Sequence, residues 1–109
     1  MKYKIMKTHK ERMCSNMTYR VGEIETTYGK LLHSFGKPYP CDGYKVDAEW
    51  TLQFDDGQVA TIYNWKDGHN YLGEDGTSVE DITDWHIGGR KEIVVRRVKE
   101  ILAREEVTA

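Results

Sequence analysis

The alternation of apolar and polar residues between positions 46 and 54 predicts a β-strand. Val46, Ala48, Trp50, Leu52 and Phe54 hold every second position, and four polar residues stand between them. Successive side chains of a strand point to opposite faces, so this strand has one buried face and one face in water. Acidic turn residues and a glycine follow, and then a second β-branched and aromatic run, so the segment predicts a β-hairpin.

The length of the hairpin loop decides which side chains of the second strand are buried. A two-residue loop would place Tyr63 and Trp65 on the core face. A three-residue loop with Gly57 in the left-handed conformation instead buries Ala60 and Ile62 and leaves Tyr63 and Trp65 on the other face. We favour the three-residue loop, because the glycine then stands where the left-handed residue is required.

Helical spacing of apolar residues predicts two helices. The first covers 27–35, begins with a capping hydroxyl offered by the pair Thr26-Thr27, and ends at Gly36. The second begins at Arg90 and carries an apolar stripe at helical spacing, three or four residues apart. The stripe consists of Val94, Val98, Ile101 and Leu102.

The remaining segments complete the predicted order of elements. We predict a short strand at 2–6, a loop or mobile arm at 7–17, a strand at 19–25, a turn-rich connection at 37–45, a long exposed loop or loose hairpin at 66–79, and a strand at 81–87 ended by Gly88 and Gly89. The chain is therefore predicted to be a single α+β domain over residues 1–109, with 1–18 as a candidate mobile basic arm. Its antiparallel sheet of about four to five strands carries the short helix and the long C-terminal helix packed on one face.

Charge is distributed unevenly, although the formal net charge is only −2. Residues 1–20 hold six basic residues against one acid, whereas residues 41–84 hold eleven acids against two lysines. Such a division can steer charged partners. Proteins that bind nucleic acid usually have a clear positive excess, so we expect no nucleic-acid partner.

The cysteines and histidines form no recognisable catalytic or metal-binding motif. Cys14 and Cys41 are far apart in sequence and share no ligand spacing with the four histidines. We expect both cysteines to be free thiols in a reducing cytosol, and we expect neither a catalytic site, a metal nor a cofactor. The longest apolar run has three residues, so we expect no membrane partner.

The junction between the last strand and the long helix is a candidate anion site. The expected strand ends in two glycines, and two basic residues open the expected helix. Glycines allow a ligand to approach the backbone, and free amides at a helix start attract anions. The predicted ligand-binding residues, for a nucleotide or another anion, are His86, Gly88, Gly89, Arg90 and Lys91.

The water-facing side of the hairpin is a candidate protein-binding surface. The favoured register places Tyr63 and Trp65 there beside Asp47 and Glu49. Aromatic residues dominate the binding energy of many protein interfaces. We therefore predict that these four residues contact a partner, either another protein or a second copy of the chain in a homodimer.

Three segments resemble a group of small, uncharacterised phage-encoded accessory proteins. They are Phe35-Gly36-Lys37-Pro38, DAEWTLQFDDGQVATIYNWK at 47–66, and Asp84-Trp85-His86-Ile87-Gly88-Gly89, and the resemblance covers about residues 24–103. It implies a non-enzymatic protein in the cytoplasm of a bacterial host, one that binds a host factor stoichiometrically and inhibits a defence system. The alternative function is capture of a nucleotide or other anion at 88–91.

Overall fold

Five strands form one antiparallel sheet in the computed structural model, which describes residues 2–39 and 46–108. The strands are β1 (Tyr3–Ile5), β2 (Tyr19–Glu25), β3 (Glu49–Phe54), β4 (Val59–Tyr63) and β5 (Asp84–Gly89). The helices are α1 (His9–Arg12), α2 (Tyr28–Phe35), α3 (His69–Leu72) and α4 (Ile93–Thr108). The strand order across the sheet is β1-β3-β4-β5-β2, and every pair is antiparallel. Helices α2 and α4 pack together on one face, which confirms the predicted fold class.

The hairpin between β3 and β4 has the predicted three-residue loop. Gly57 adopts a left-handed backbone with φ +86°, and the Phe54 amide donates to the Gln58 carbonyl (2.8 Å). Trp50 consequently stands opposite Ile62, and both are buried. The predicted register is therefore confirmed.

The core lies between the sheet and the two packed helices. Trp50 and Trp85 meet edge to face with their ring centroids 5.7 Å apart, and Tyr28 of α2 contacts both rings at 5.9 and 6.3 Å. Both buried indole N–H groups are satisfied by carbonyls, that of Trp50 by Gly36 and that of Trp85 by Ile82. The predicted packing of hairpin residues against α2 and α4 is confirmed, and that cluster includes Leu31, Leu52, Val94, Val98 and Leu102.

Helix α2 begins and ends where its capping residues predict. The Thr27 hydroxyl accepts a hydrogen bond from the Lys30 amide (3.2 Å), and Gly36 ends the helix with φ +78°. Leu31 and Phe35 are buried against the sheet. The turn-rich connection predicted after this helix, 37–45, lies outside the described residues from position 40 onward.

The loop predicted at 7–17 is wrong, because much of this arm is helical. Thr8 and Glu11 form a capping box at the start of α1, in which each side chain accepts from the other residue's backbone amide. A 3-10 turn over Met13–Ser15 follows, and the chain then enters β2. Residues 7–18, from the capping box to the start of β2, are called the arm.

Three further features differ from the prediction, which are the segment 66–79, the end of β5 and the start of α4. The exposed loop predicted at 66–79 contains the short helix α3 and a 3-10 turn, Gly73–Asp75. Strand β5 does not end before Gly88 but continues through Gly89, and α4 begins at Ile93 rather than Arg90. Within the described residues, no helix combines the length and apolar character that crossing a membrane requires.

Candidate functional site

A cleft of about 250 Å³ lies on the face of the sheet that points away from α2 and α4. Strands β3, β4 and β5 form its floor, and the arm forms one wall. We call this surface the open-face cleft. Its lining residues are Ser15, Thr18, Tyr19, Val46, Glu49, Thr61, Tyr63, Trp65 and Gly88.

Exposed apolar side chains line the open-face cleft and occur along the arm that forms its wall. Tyr19 and Trp65 line it and are 62% and 43% exposed. Met13 and Met17, which belong to the arm, are 55% and 87% exposed. Tyr, Trp and Met are enriched in the centres of protein interfaces, so this rim has the composition of a binding surface rather than of an ordinary wet face.

The backbone is left-handed on both sides of the cleft. Met17 has φ +70° and Lys66 has φ +61°, and they are the only non-glycine residues with positive φ in the described chain. Each directly adjoins a lining residue, Thr18 in the first case and Trp65 in the second. A non-glycine residue in this conformation costs roughly 1–2 kcal/mol. Such strain concentrates at functional sites, where the surrounding structure holds it in place.

The one ionisable carboxyl in the cleft is already paired. Glu49 forms a hydrogen-bonded ion pair with Arg12 of the arm, and the Arg12 guanidinium also stacks over the Tyr39 ring at 3.8 Å. Burial raises the pKa of Glu49, and the Arg12 guanidinium opposes that rise. The ion pair joins the arm to β3. None of the lining residues that the structure describes is a lysine, an arginine or a histidine.

A fully buried asparagine fixes the chain that carries Trp65. The Asp47 and Ala48 amides donate to Asn64 Oδ1 at 2.7 and 3.1 Å. Asn64 Nδ2 donates to Asp47 Oδ1 and to Asp67 Oδ1, both at 3.0 Å. All the hydrogen-bonding capacity of Asn64 is used, so the end of β4 is joined to the start of β3.

Three of the four residues predicted to contact a partner lie together. Tyr63, Trp65 and Glu49 line the open-face cleft, with the Tyr63 and Trp65 rings edge to face at 6.3 Å. Burial raises the pKa of the half-buried Tyr63. Asp47 is used differently, because its carboxylate accepts from Asn64 and contacts Gly68. Its predicted contact with a partner stays a prediction.

The predicted anion-binding residues are divided between the two faces of the sheet. Gly88 stands opposite Thr61 on the cleft side, where a Cβ would clash with the Thr61 hydroxyl. A Cβ on Gly89 would meet Val94 Cγ2 at 2.7 Å on the helix side. The two glycines therefore allow close packing within the sheet and against α4. The His86 ring packs edge to face on Tyr63 at 5.5 Å.

The two basic residues after β5 do not converge with free helix amides. Arg90 Nη2 donates to the carbonyls of Cys14 (2.9 Å) and Asn16 (2.7 Å), which holds the arm against the end of β5. Lys91 is exposed, and its carbonyl accepts from the Val94 amide at 3.4 Å. These contacts give no support to anion capture at 88–91, which stays a prediction.

The described residues offer little to covalent or metal chemistry. Burial raises the pKa of the Cys14 thiol and so disfavours the reactive thiolate. Cys14 is a free cysteine, and Cys41 lies outside the described residues. In the described part of the chain, no three His, Cys, Asp or Glu residues are grouped as metal ligands would be.

Sequence reasoning missed three residues that build the cleft. Tyr19 was assigned to a strand without a role, Arg12 was assigned to a loop, and Asn64 was not singled out. The spacing of Thr8 and Glu11 was the available signal for an ordered arm, since Ser or Thr three residues before Glu is a capping box. Nothing local marks Asn64, because two of its three partner residues, Asp47 and Ala48, lie 17 and 16 positions away in the chain.

The chain has no match among known families: no protein-family model fits it, and comparison with curated proteins finds no similar protein. The resemblance to phage accessory proteins therefore stays a prediction.

Proposed function

We propose that this protein acts by binding another protein through the open-face cleft, without catalysis. The observation that carries the proposal is the pair of exposed aromatic side chains, Tyr19 and Trp65, that line the cleft beside its sheet floor. Complete burial of an aromatic side chain removes about 200 Å² of surface from water. A partner could cover the part of Tyr19 and Trp65 that is exposed, which is 62% and 43% of each residue. The strained backbone at Met17 and Lys66 supports the same site.

Charge favours a protein partner over a nucleic acid or a phosphate. The lining residues that the structure describes include no cation. Arg12 and Arg20 are paired with Glu49 and Glu23, and the Lys66 ammonium lies over the Trp65 ring at 5.7 Å. Binding of single-stranded nucleic acid needs aromatic platforms within a positive groove. A protein surface that presents apolar side chains needs no such field.

The resemblance to phage accessory proteins suggests the class of partner. We propose a host protein of the bacterial cytoplasm, with inhibition of a defence system as the consequence of stoichiometric binding. An inhibitor of this kind needs a surface rather than a catalytic group. In agreement with this, Glu49 is held in an ion pair and the Cys14 thiol is partly buried.

Affinity capture from a bacterial lysate tests the proposal. The tagged protein is compared with a cleft variant, Tyr19→Ser with Trp65→Ser, and with a control variant, Leu72→Ser with Ile93→Ser. The control residues are also exposed apolar side chains, at 44% and 38%, and they lie outside the cleft. We expect one host protein to be captured by the parent and the control and to be lost from the cleft variant.

Two results would contradict the proposal. One is capture of the same proteins by all three forms. The other is a homodimer, measured by sedimentation of the purified chain, that the cleft variant dissociates, because the cleft would then be used for self-association. Capture of a host protein by the parent and the control, but not by the cleft variant, distinguishes specific binding at the cleft from non-specific adsorption.

A further inference from the structure

A second cavity lies on the other side of the arm, between β1 and the C-terminal end of α2. Its volume is about 480 Å³, within the usual range for sites that bind small molecules. Phe35 and Trp50, both nearly fully buried, lie at its base beside Met6. The cavity is separate from the open-face cleft, and ligand binding there would be independent of the proposed function.

The walls of this cavity are largely apolar, and the indole N–H group in them already has a hydrogen-bond partner. The Trp50 indole N–H donates to the Gly36 carbonyl at 2.8 Å, so neither group needs a ligand. Ile5, Pro38 and Tyr39 complete the wall. A ligand in this space would gain mainly from burial of its own apolar surface.

The mouth of the cavity is positively charged. Lys7 and Lys37 line it and are exposed, and none of the lining residues that the structure describes is acidic. Neither ammonium group forms an ion pair within residues 2–39 and 46–108. The nearest carboxylate of the arm, Glu11, accepts instead from the backbone amides of Lys7 and Thr8.

We propose that this cavity binds a small organic anion with an apolar body, such as an aryl or alkyl carboxylate. The body packs against Phe35, Met6 and Trp50, and the carboxylate meets Lys7 and Lys37 at the mouth. The two parts of the cavity therefore select for two parts of one ligand. A phosphate without an apolar body lacks the first contact, and a neutral aromatic molecule lacks the second.

The test is a titration followed by ¹H–¹⁵N correlation NMR, with the Trp50 indole N–H as the reporter at the cavity wall. The probes are 4-phenylbutyrate, its neutral amide, and acetate. We expect 4-phenylbutyrate to shift the Trp50 indole and the Gly36 and Lys37 amides saturably. The amide is expected to bind roughly three- to tenfold more weakly, which is the loss that two exposed charge contacts produce.

Variants assign the charge effect to the two lysines. Lys7→Gln with Lys37→Gln should weaken 4-phenylbutyrate binding by the same roughly three- to tenfold. Lys10→Gln with Lys99→Gln changes the net charge equally at exposed residues that do not line the cavity and should leave binding unchanged. Because all four lysines are exposed, both variants should remain folded.

Three outcomes would overturn the proposal. The first is the absence of any saturable shift of the Trp50 indole at millimolar 4-phenylbutyrate. The second is equal binding of the acid and the amide. The third is an equal effect of acetate on the same resonances, because the cavity base would then contribute nothing.

Discussion

His86 stands in an environment that disfavours its charged form. It is half-buried against the Tyr63 ring, and burial lowers its pKa below the ordinary value of about 6.5, with the nearby Arg20 charge adding to the effect. The unfolded chain therefore binds a proton at His86 more readily than the folded chain does. It follows that the free energy of unfolding decreases as the pH falls from about 6.5 through the lower pKa of the folded state.

An NMR titration of the His86 ring protons measures this directly. We expect a midpoint below 6.5, and a midpoint that rises part of the way back in Arg20→Gln. Burial is the larger cause, so the substitution should not restore the ordinary value. A His86 midpoint at or above 6.5 would show that the ring is more exposed to water than the structure has it.

Asn64 is the residue whose loss should disturb the cleft most without touching its surface. Asn64→Ala leaves the buried Ala48 amide and the half-buried Asp47 amide without an acceptor, so we expect a loss of about 2–4 kcal/mol in the free energy of unfolding. Asn70→Ala is the matched control in the same network. Its side chain donates to the Val46 carbonyl from an exposed position, so its loss should cost under about 1 kcal/mol.

Urea denaturation measures both variants. Equal midpoints for Asn64→Ala and Asn70→Ala would contradict the central role of Asn64. A decrease for Asn64→Ala alone supports it.

At the scale of elements, two glycines should respond to alanine with opposite signs. Gly57 has φ +86° in the β3–β4 loop and no atom within 4 Å of a new Cβ, so the change tests backbone strain alone. We expect Gly57→Ala to lose roughly 1 kcal/mol. Gly29 lies exposed inside α2, where only the Thr27 hydroxyl comes within 4.0 Å of a Cβ, and Gly29→Ala should gain roughly 0.5–1 kcal/mol.

The free energies of unfolding from urea melts check this pair. Because both substitutions add one methyl group, a general effect of added apolar surface would move them in the same direction. Two changes of the same sign would contradict the assigned backbone conformations.

The elements that follow local rules could be predicted, and those that depend on tertiary contacts could not. The hairpin register followed from Gly57 and strand alternation, and α2 followed from its Thr27 cap and its spacing. The break predicted at Gly88 was wrong, because glycine there accommodates Thr61 across the sheet instead of forming a turn. The arm was missed because α1 has only four residues, too few for a periodic pattern.

The candidate site was partly predictable for the same reason. Tyr63 and Trp65 were assigned to the open face from the register, and that placement holds. The arm that forms the wall of the cleft is held by Arg12 with Glu49 and by Arg90 with two carbonyls. Those contacts join positions 37 to 76 residues apart, so no local pattern reveals them.

At the scale of the whole molecule, the sheet separates stability from binding. Its helix side carries the core of Trp50, Trp85 and the α4 stripe, while its open side carries the exposed aromatic side chains of Tyr19 and Trp65. Tyr63 lies on the open side but contributes to stability as well as to the cleft, because it is half-buried against His86. Tyr19 and Trp65 are therefore the better pair for separating binding from folding.

The most direct test of the account is the dissociation constant of the captured partner for Tyr19→Ser with Trp65→Ser, measured by calorimetry beside the melting temperature of the free variant. We expect affinity to fall by about 30-fold or more, the loss of at least one interface hot spot. We expect the melting temperature to change by less than about 4 °C, since exposed substitutions cost little stability. Unchanged affinity, or lost affinity that merely follows a collapse in melting temperature, would contradict binding at the open-face cleft.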